Sequence, residues 1–158
     1  MTKTFAIESN GFLEKTACYI NGQQVGGLKE VFINIDEAGI FDAIIQYEAK
    51  DKQIYTCQIF NDNLQNIKIV EPSFTEEEAN QLALFEIESD GTVDNTTVFF
   101  NNEELVGVVS LFIHIKAVTG NKGIQYLFNK PFINEQPLFK TEIIFRNEDD
   151  TFSTESIF

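Results

Sequence analysis

Hydrophobic and polar residues alternate along much of the chain, a pattern typical of β-strands that bury one face. The clearest example is residues 28–36, which place Val31, Ile33 and Ile35 on one face. The opposite face carries Phe32, Asn34 and Asp36. The same pattern predicts strands at residues 16–20, 40–48, 54–60, 65–70, 96–100, 108–116, 123–129, 138–146 and 151–158. The chain is therefore predicted to be an all-β protein with mainly antiparallel strands.

The sequence matches itself at an offset of 80 residues. Residues 5–36 align with residues 85–116 without a gap, and 11 of the 32 positions are identical. Further on, IIQY at 44–47 resembles GIQY at 123–126, and TCQIF at 56–60 resembles TEIIF at 141–145. Because glycines and turn residues stay in register over the gapless stretch, we interpret the chain as a tandem duplication of one β unit.

The second copy repeats the signals of the first. On its long strand, one face carries Leu111, Ile113 and Ile115. The other face carries Phe112, His114 and Lys116. Asn21-Gly22 in the first copy and Asn101-Asn102 in the second follow a short strand, and they suit the two positive φ angles of a type I′ hairpin turn.

One segment, residues 73–84, departs from the strand pattern. Thr75 and Glu78 have the spacing of a capping box, which predicts a helix of about two turns that links the copies. The expected organisation is thus β repeat 1 at 1–72, a helical linker at 73–84, and β repeat 2 at 85–158. A β unit of about 75 residues is near the lower limit for independent stability, so we expect one compact, pseudo-two-fold, sandwich- or barrel-like body. Two separate subdomains remain the alternative.

The composition limits the partners. The chain has 25 acidic and 11 basic side chains, a net charge of -14, and 43% hydrophobic residues, enough for a substantial core. Strong acidity argues against direct binding to nucleic acid or to an anionic membrane, and a basic protein is the first partner to consider. No apolar run reaches the length of a signal peptide or a membrane span, so we expect a soluble, cytoplasmic protein.

Catalytic and metal-binding patterns are lacking in the sequence. His114 is the single histidine and is predicted in mid-strand. Cys18 and Cys57 lie 39 residues apart, without zinc or redox spacing, and we interpret them as reduced thiols. The acidic run Glu148-Asp149-Asp150 lacks the spacing of a calcium loop. We therefore predict a non-enzymatic protein with no catalytic, cofactor-binding or metal-binding residues.

The candidate interface is the polar face of the two long strands. Both copies keep a phenylalanine on it, Phe32 and Phe112, beside Asn34, Asp36 and His114. Exposed aromatic residues on a polar sheet face often mark a protein interface. The alternative is that the other repeat or the linker helix covers this face.

Residues 20–36, INGQQVGGLKEVFINID, and 100–116, FNNEELVGVVSLFIHIK, resemble a pattern of small β-rich proteins of tailed phages and prophages. In that pattern an NG- or DG-type turn leads through a Gly-Val-x-x-Val step into a long alternating strand. The resemblance implies an accessory or structural role without catalysis, and it transfers no functional residues.

Three functions follow from these observations. The first is a non-catalytic, acidic binding protein that acts on a macromolecular partner as an inhibitor, adaptor or immunity-type protein. The alternative is a structural or assembly component, such as a phage or prophage particle protein. A small ligand-binding β-barrel is the third. Homo-oligomerisation stays open in each case.

Overall fold

The computed structural model describes residues 2–117 and 137–158, and most of them lie in antiparallel strands. The strands before the linker are β1 (Lys3–Ser9), β2 (Thr16–Ile20), β3 (Gln23–Gly26), β4 (Leu28–Asp36), β5 (Phe41–Glu48), β6 (Ile54–Gln58) and β7 (Lys68–Ile69). Those after it are β8 (Ala83–Ser89), β9 (Thr97–Phe100), β10 (Glu103–Glu104), β11 (Val108–Lys116), β12 (Leu138–Arg146) and β13 (Phe152–Ser156). The predicted all-β, antiparallel class is confirmed. The predicted strand at 123–129 lies outside the described residues.

The strands form two sheets that share one hydrophobic core. The seven-stranded sheet has the order β10-β9-β8-β1-β2-β3-β7, and the six-stranded sheet has the order β13-β12-β11-β4-β5-β6. One buried cluster includes Phe5 and Phe85 from the first sheet and Ile33 and Ile113 from the second. The described strands make two open sheets and do not close into a barrel.

The predicted alternation of β4 and β11 is confirmed. Val31, Ile33 and Ile35 of β4 are buried. So are Leu111, Ile113 and Ile115 of β11. The residues between them are half-buried on the outer face. Because side chains on a strand alternate between its two faces, three apolar residues at every second position anchor each strand on the core.

The central pairs of both sheets join residues from the two sides of the linker. β1 pairs with β8 around Ala6 and Glu86, and β4 pairs with β11 around Ile33 and Ile113. The residues at both centres lie 80 positions apart, which is the offset of the sequence match. Each stretch of the match therefore supplies one of the two central strands of each sheet.

The same side-chain bonds recur in both stretches. The hydroxyl groups of Ser9 and Thr16 are 2.7 Å apart, and those of Ser89 and Thr96 are 2.8 Å apart. Both hairpin turns use two consecutive positive φ angles, 50° and 81° at Asn21-Gly22 and 50° and 69° at Asn101-Asn102. The predicted positive-φ turns are thus confirmed.

The linker differs from its prediction. Its helix, α1, is a single turn at Glu76–Ala79, although the predicted capping box between Thr75 and Glu78 does form. The prediction of about two turns over 73–84 was wrong because Ala83 and Leu84 pair with β1, and sheet pairing continues the chain as β8. The described contacts of the linker are with Gln24, which bonds Ser73, and with Lys15, which lies 3.9 Å from Glu78.

The later part of the sequence match is also corrected. The TEIIF segment at 141–145 lies on β12, which pairs with β11 in the same way as β5 pairs with β4. TCQIF at 56–60 instead begins on β6, the next strand out at the edge of the sheet. By register, TCQIF corresponds to TESIF at 154–158, which begins on β13. Sequence similarity alone paired TCQIF with the wrong strand because both segments alternate apolar residues. The GIQY segment lies outside the described residues.

Candidate interaction surface

The five candidate residues all lie on the outer face of the six-stranded sheet. Phe32, Asn34 and Asp36 belong to β4, and Phe112 and His114 belong to β11. All five are half-buried. Cross-strand neighbours on this face are His114 with Phe32 and Phe112 with Asn34. The sequence therefore placed these residues on one face, and the pairing of β4 with β11 makes it a continuous surface.

Phe32 and Phe112 form an aromatic pair at the middle of this surface. Their ring centroids are 5.7 Å apart and the rings are nearly perpendicular, at 89°. The imidazole of His114 stands edge-on to Phe32 at 5.4 Å. Such edge-to-face pairs contribute about 0.5–1.5 kcal/mol beyond the burial of their area. The three rings form one cluster, here called the aromatic cluster.

Two charged residues that the sequence did not single out complete this cluster. Glu30 places a carboxylate oxygen 2.6 Å from Nε2 of His114, and the Lys140 ammonium lies 5.5 Å from the Phe112 ring centre. The alternation of β4 could have predicted Glu30 on this face, because Glu30 lies two residues before Phe32. The sequence could not have predicted the position of Lys140, because that position depends on the register of β12 with β11.

Asp36 lies outside the aromatic cluster and closes a turn. Its Oδ1 atom accepts hydrogen bonds from the backbone N–H groups of Ala38, at 3.0 Å, and Ile40, at 3.1 Å. Asn34 lies between Phe112 and Asp42 in the sheet. Of the five predicted residues, the structure thus brings Phe32, Phe112 and His114 into direct contact.

The seven-stranded sheet packs on the inner face of this sheet. The linker makes its described contacts with Gln24 of β3 and with Lys15, which lies in the turn between β1 and β2. Within residues 2–117 and 137–158, no strand or helix pairs with or bonds to the aromatic cluster from outside the six-stranded sheet. The described elements therefore leave the cluster on an open face.

The charge of the two sheets differs. Around the aromatic cluster, acidic residues such as Glu30 and Glu142 are interspersed with Lys116 and Lys140. Strands β8, β9 and β10, in the other sheet, contain Glu86, Glu88, Glu103 and Glu104 and neither lysine nor arginine. These three strands therefore carry acidic charges only, whereas both signs of charge lie around the aromatic cluster.

Burial and turn hydrogen bonds shift the pKa values of some titratable groups. Burial raises the pKa of the Cys18 thiol to about 12, and both Cys18 and Cys57 are free. Hydrogen bonds from Thr151 hold the pKa of Asp149 below its usual range, as for a carboxylate that closes a turn. Among the described residues, no three His, Cys, Asp or Glu side chains converge as metal ligands would.

A recess between the sheets is lined by Leu13, Cys18, Val31 and Ile115 among others, and has a volume of about 190 Å³. Pockets that enclose small ligands usually have volumes of roughly 300–1,000 Å³.

No helix in the described part of the chain has the length and apolar character needed to cross a membrane.

Comparison with known proteins adds no further constraint. No protein-family model, curated protein or solved structure matches this chain.

Proposed function

We propose that the chain is a non-catalytic binding protein that acts on a protein partner through the aromatic cluster, as an inhibitor, adaptor or immunity-type protein. The observation that carries this proposal is the contact of Phe32 with Phe112 on the outer face of two central strands. Aromatic residues are enriched at binding hot spots, where they bury large areas with few rotatable bonds.

The sheet gives this surface a rigid base. β4 and β11 are the central strands, each paired on both sides, and their inner faces are anchored by Ile33 and Ile113. The aromatic side chains are therefore held in place before a partner arrives, which reduces the entropy lost on binding.

The proposed partner is a basic protein with an apolar patch. The net charge of -14 attracts such a protein over a long range and accelerates its encounter. At close range the cluster offers both signs of charge, because Glu30 and Lys140 flank the rings. An apolar patch with a mixed polar rim is the complement that this surface requires. The free thiols of Cys18 and Cys57 suit a reducing compartment, and we place this activity in the cytoplasm.

We also propose that the chain arose by duplication of one β unit and that its halves form a pseudo-two-fold pair. The registers centred on Ile33 with Ile113 and on Ala6 with Glu86 support this proposal. So does the order of the two sheets, in which β8 to β13 follow one another outward from the centre as β1 to β6 do on the other side.

A double variant tests the surface. Phe32→Ser with Phe112→Ser should remove captured partners when the tagged chain is purified from its source cells and the bound proteins are quantified. The matched control is Phe99→Ser, which removes a half-buried aromatic residue from the other sheet. The control should keep the partner, and lower salt should strengthen the capture. Equal capture by the double variant and the wild type, with unchanged circular dichroism spectra, would refute the proposal.

A structural or assembly role is the second candidate, favoured by the edges of the six-stranded sheet. Ile54 on the edge strand β6 is 56% exposed, and Phe152 on the opposite edge strand β13 is 60% exposed. Exposed apolar edge strands favour pairing between copies. This role predicts concentration-dependent oligomers in sedimentation experiments that Ile54→Lys with Phe152→Lys abolishes, whereas a monomer at all concentrations contradicts it.

A further inference from the structure

The first half of the molecule closes the gap between its two sheets with its own chain. Strand β7 pairs with the outer edge of β3, with Ile69 opposite Val25, and the backbone N–H of Val70 donates to the carbonyl oxygen of Gln24 at 2.9 Å. The seven-stranded sheet therefore ends in a short added strand on this side.

The residues before β7 fill the space behind it. Leu64 and Ile67 pack against the hydrophobic core, and the Tyr47 hydroxyl donates a 2.7 Å hydrogen bond to the carbonyl oxygen of Gln65. Residues 61–70 thus form a plug, here called the internal plug, with the side chains of Leu64 and Ile67 turned inward and one strand edge paired with β3.

The corresponding place in the second half is a groove. β10 continues from β9 as β3 continues from β2, and no strand of the described residues pairs with its outer edge. Between Leu105, which directly follows β10, and strand β13 lies a cavity of about 150 Å³. Its lining is mainly apolar and includes Phe100, Leu105, Ile143, Phe145 and Ile157.

Burial at matching positions reflects this difference. Val25, beside the internal plug, is 4% exposed, whereas Leu105, its counterpart in the sequence match, is only partly buried. The next residue, Val106, is 85% exposed. The backbone N–H of Leu105 donates to the carbonyl oxygen of Val98 on β9. Because the backbone groups of successive residues in a strand point to opposite edges, those of Glu104 point away from β9, towards the open edge.

We propose that this groove binds an extended segment of a basic protein, which adds to β10 as a strand and inserts alternate apolar side chains between the two sheets. Strand addition to an open sheet edge is a common mode of peptide recognition. The site is separate from the aromatic cluster and goes beyond the function proposed above.

The charge of the rim selects a basic segment. Acidic residues surround the groove, namely Glu103, Glu104, Glu148 and Glu155. Arg146 also lies at the groove, but its guanidinium is held by Glu37 at 2.6 Å. The surplus of carboxylates therefore favours lysine or arginine on the incoming segment.

One position of the segment should not be basic. In the internal plug, Lys68 lies opposite Gly26 and 3.8 Å from Glu48. Arg146 occupies the place of Glu48 in the second half, because each donates its backbone N–H to the glycine before the long strand. The partner residue opposite Val106 would thus face an arginine, and a neutral residue fits there.

A synthetic peptide tests the site. The probe has the sequence of residues 61–72 with Asp62→Lys, Lys68→Thr and Glu71→Lys, which keeps the apolar spacing of the internal plug and supplies the basic charge. A control peptide replaces Leu64, Ile67 and Ile69 with serine. Binding to the full-length chain is measured by calorimetry and mapped by amide chemical shifts.

Three protein variants locate the binding. Glu104→Pro removes the outward N–H and should weaken binding about tenfold, since it deletes backbone hydrogen bonds of the added strand. Glu155→Trp places a large ring at the mouth of the groove, should block the peptide to a similar extent, and does not depend on a proline being tolerated in β10. Ile54→Ser alters an exposed residue on the edge of the other half and should change the affinity less than about twofold.

The proposal is supported if the probe shifts the amides of Glu104 and Val106, the serine peptide does not bind, and Glu155→Trp blocks binding. It is overturned if the probe does not bind at millimolar concentration, if its shifts map to Gln24 and Gly26 instead, or if Glu155→Trp binds like the wild type. Loss of the aromatic cluster should leave these results unchanged, so the two proposals fail separately.

Discussion

Residues 5–36 and 85–116 build the same turn and the same hairpin, yet their outward positions differ in chemistry. The buried hydroxyl pairs Ser9 with Thr16 and Ser89 with Thr96 have nearly the same length. On the outside, Tyr19 donates a hydrogen bond to Glu8, whereas Phe99, at the matching position, has no hydroxyl group. The positions that fix the backbone of this turn are thus the same in both stretches, whereas these outward positions differ in chemistry.

Substitution of the glycines before the two long strands should give the largest difference in loss of stability between the two halves. Gly27 and Gly107 have positive φ angles of 75° and 77°, which cost a residue with a side chain about 1–2 kcal/mol. A methyl group at Gly27 would also collide with the carbonyl oxygen of Glu48, but at Gly107 it would lie 3.0 Å from that of Arg146. Gly27→Ala should therefore destabilise the fold by about 2–5 kcal/mol and Gly107→Ala by about 1–2 kcal/mol.

Urea denaturation of the two glycine variants measures this difference. Equal losses would mean that the backbone around Glu48 shifts freely and that the two halves do not differ in the rigidity of this contact.

The hydroxyl group of Tyr47 contacts the internal plug, and its removal can be compared with the addition of a hydroxyl group beside the groove. Tyr47→Phe removes the hydrogen bond to the Gln65 carbonyl and should cost about 1 kcal/mol. Phe145→Tyr adds a hydroxyl at the matching place beside the groove and should change stability by less than about 0.5 kcal/mol. Thermal melts of both variants test this, and a large loss for Phe145→Tyr would show that the groove is closed.

The smallest expected effect concerns the turns after β1 and β8. Asp90 accepts hydrogen bonds from the hydroxyl and the backbone N–H of Thr92 and from the side chain of Asn95. These bonds keep the pKa of Asp90 below its usual value. The first half has Asn10 at the matching position. A lowered pKa in the folded state stabilises the fold above the unfolded pKa of about 3.9, and this contribution is lost as the pH falls through the lower, folded value.

Asp90→Asn should therefore lower the melting temperature slightly at pH 7 and have little effect under strongly acidic conditions. The reverse change, Asn10→Asp, should give the first half a weaker dependence on pH, because Phe12 and Lys15 replace Thr92 and Asn95 and the backbone N–H of Phe12 is the remaining donor of this set. A difference between Asp90→Asn and the wild type that persists unchanged to pH 2 would contradict the role of these hydrogen bonds.

Much of the fold was predictable because it depends on local patterns. The alternation of β4 and β11, the positive-φ turns and the capping box at Thr75 each depend on neighbouring residues, and each forms as predicted. Register between distant strands is not local. For that reason the sequence misplaced the partner of TCQIF and extended the helix into residues that pair with β1.

The candidate surface was predictable to the same degree. Phe32 and Phe112 followed from alternation in two similar stretches, but their mutual contact depends on β4 lying beside β11. The groove beside β10 gave no signal in the sequence, because it is defined by a strand that pairs with β3 and has no described equivalent at β10.

The central registers have a consequence for dividing the molecule. Every bond of β1 with β8 and of β4 with β11 joins residues from opposite sides of the linker. A fragment ending before the linker would expose both of these long strand edges, and a second identical fragment could occupy each vacant register. Cutting the chain at residues 73–82 should thus yield two pieces that reassociate, and the first piece alone should assemble in pairs rather than remain single.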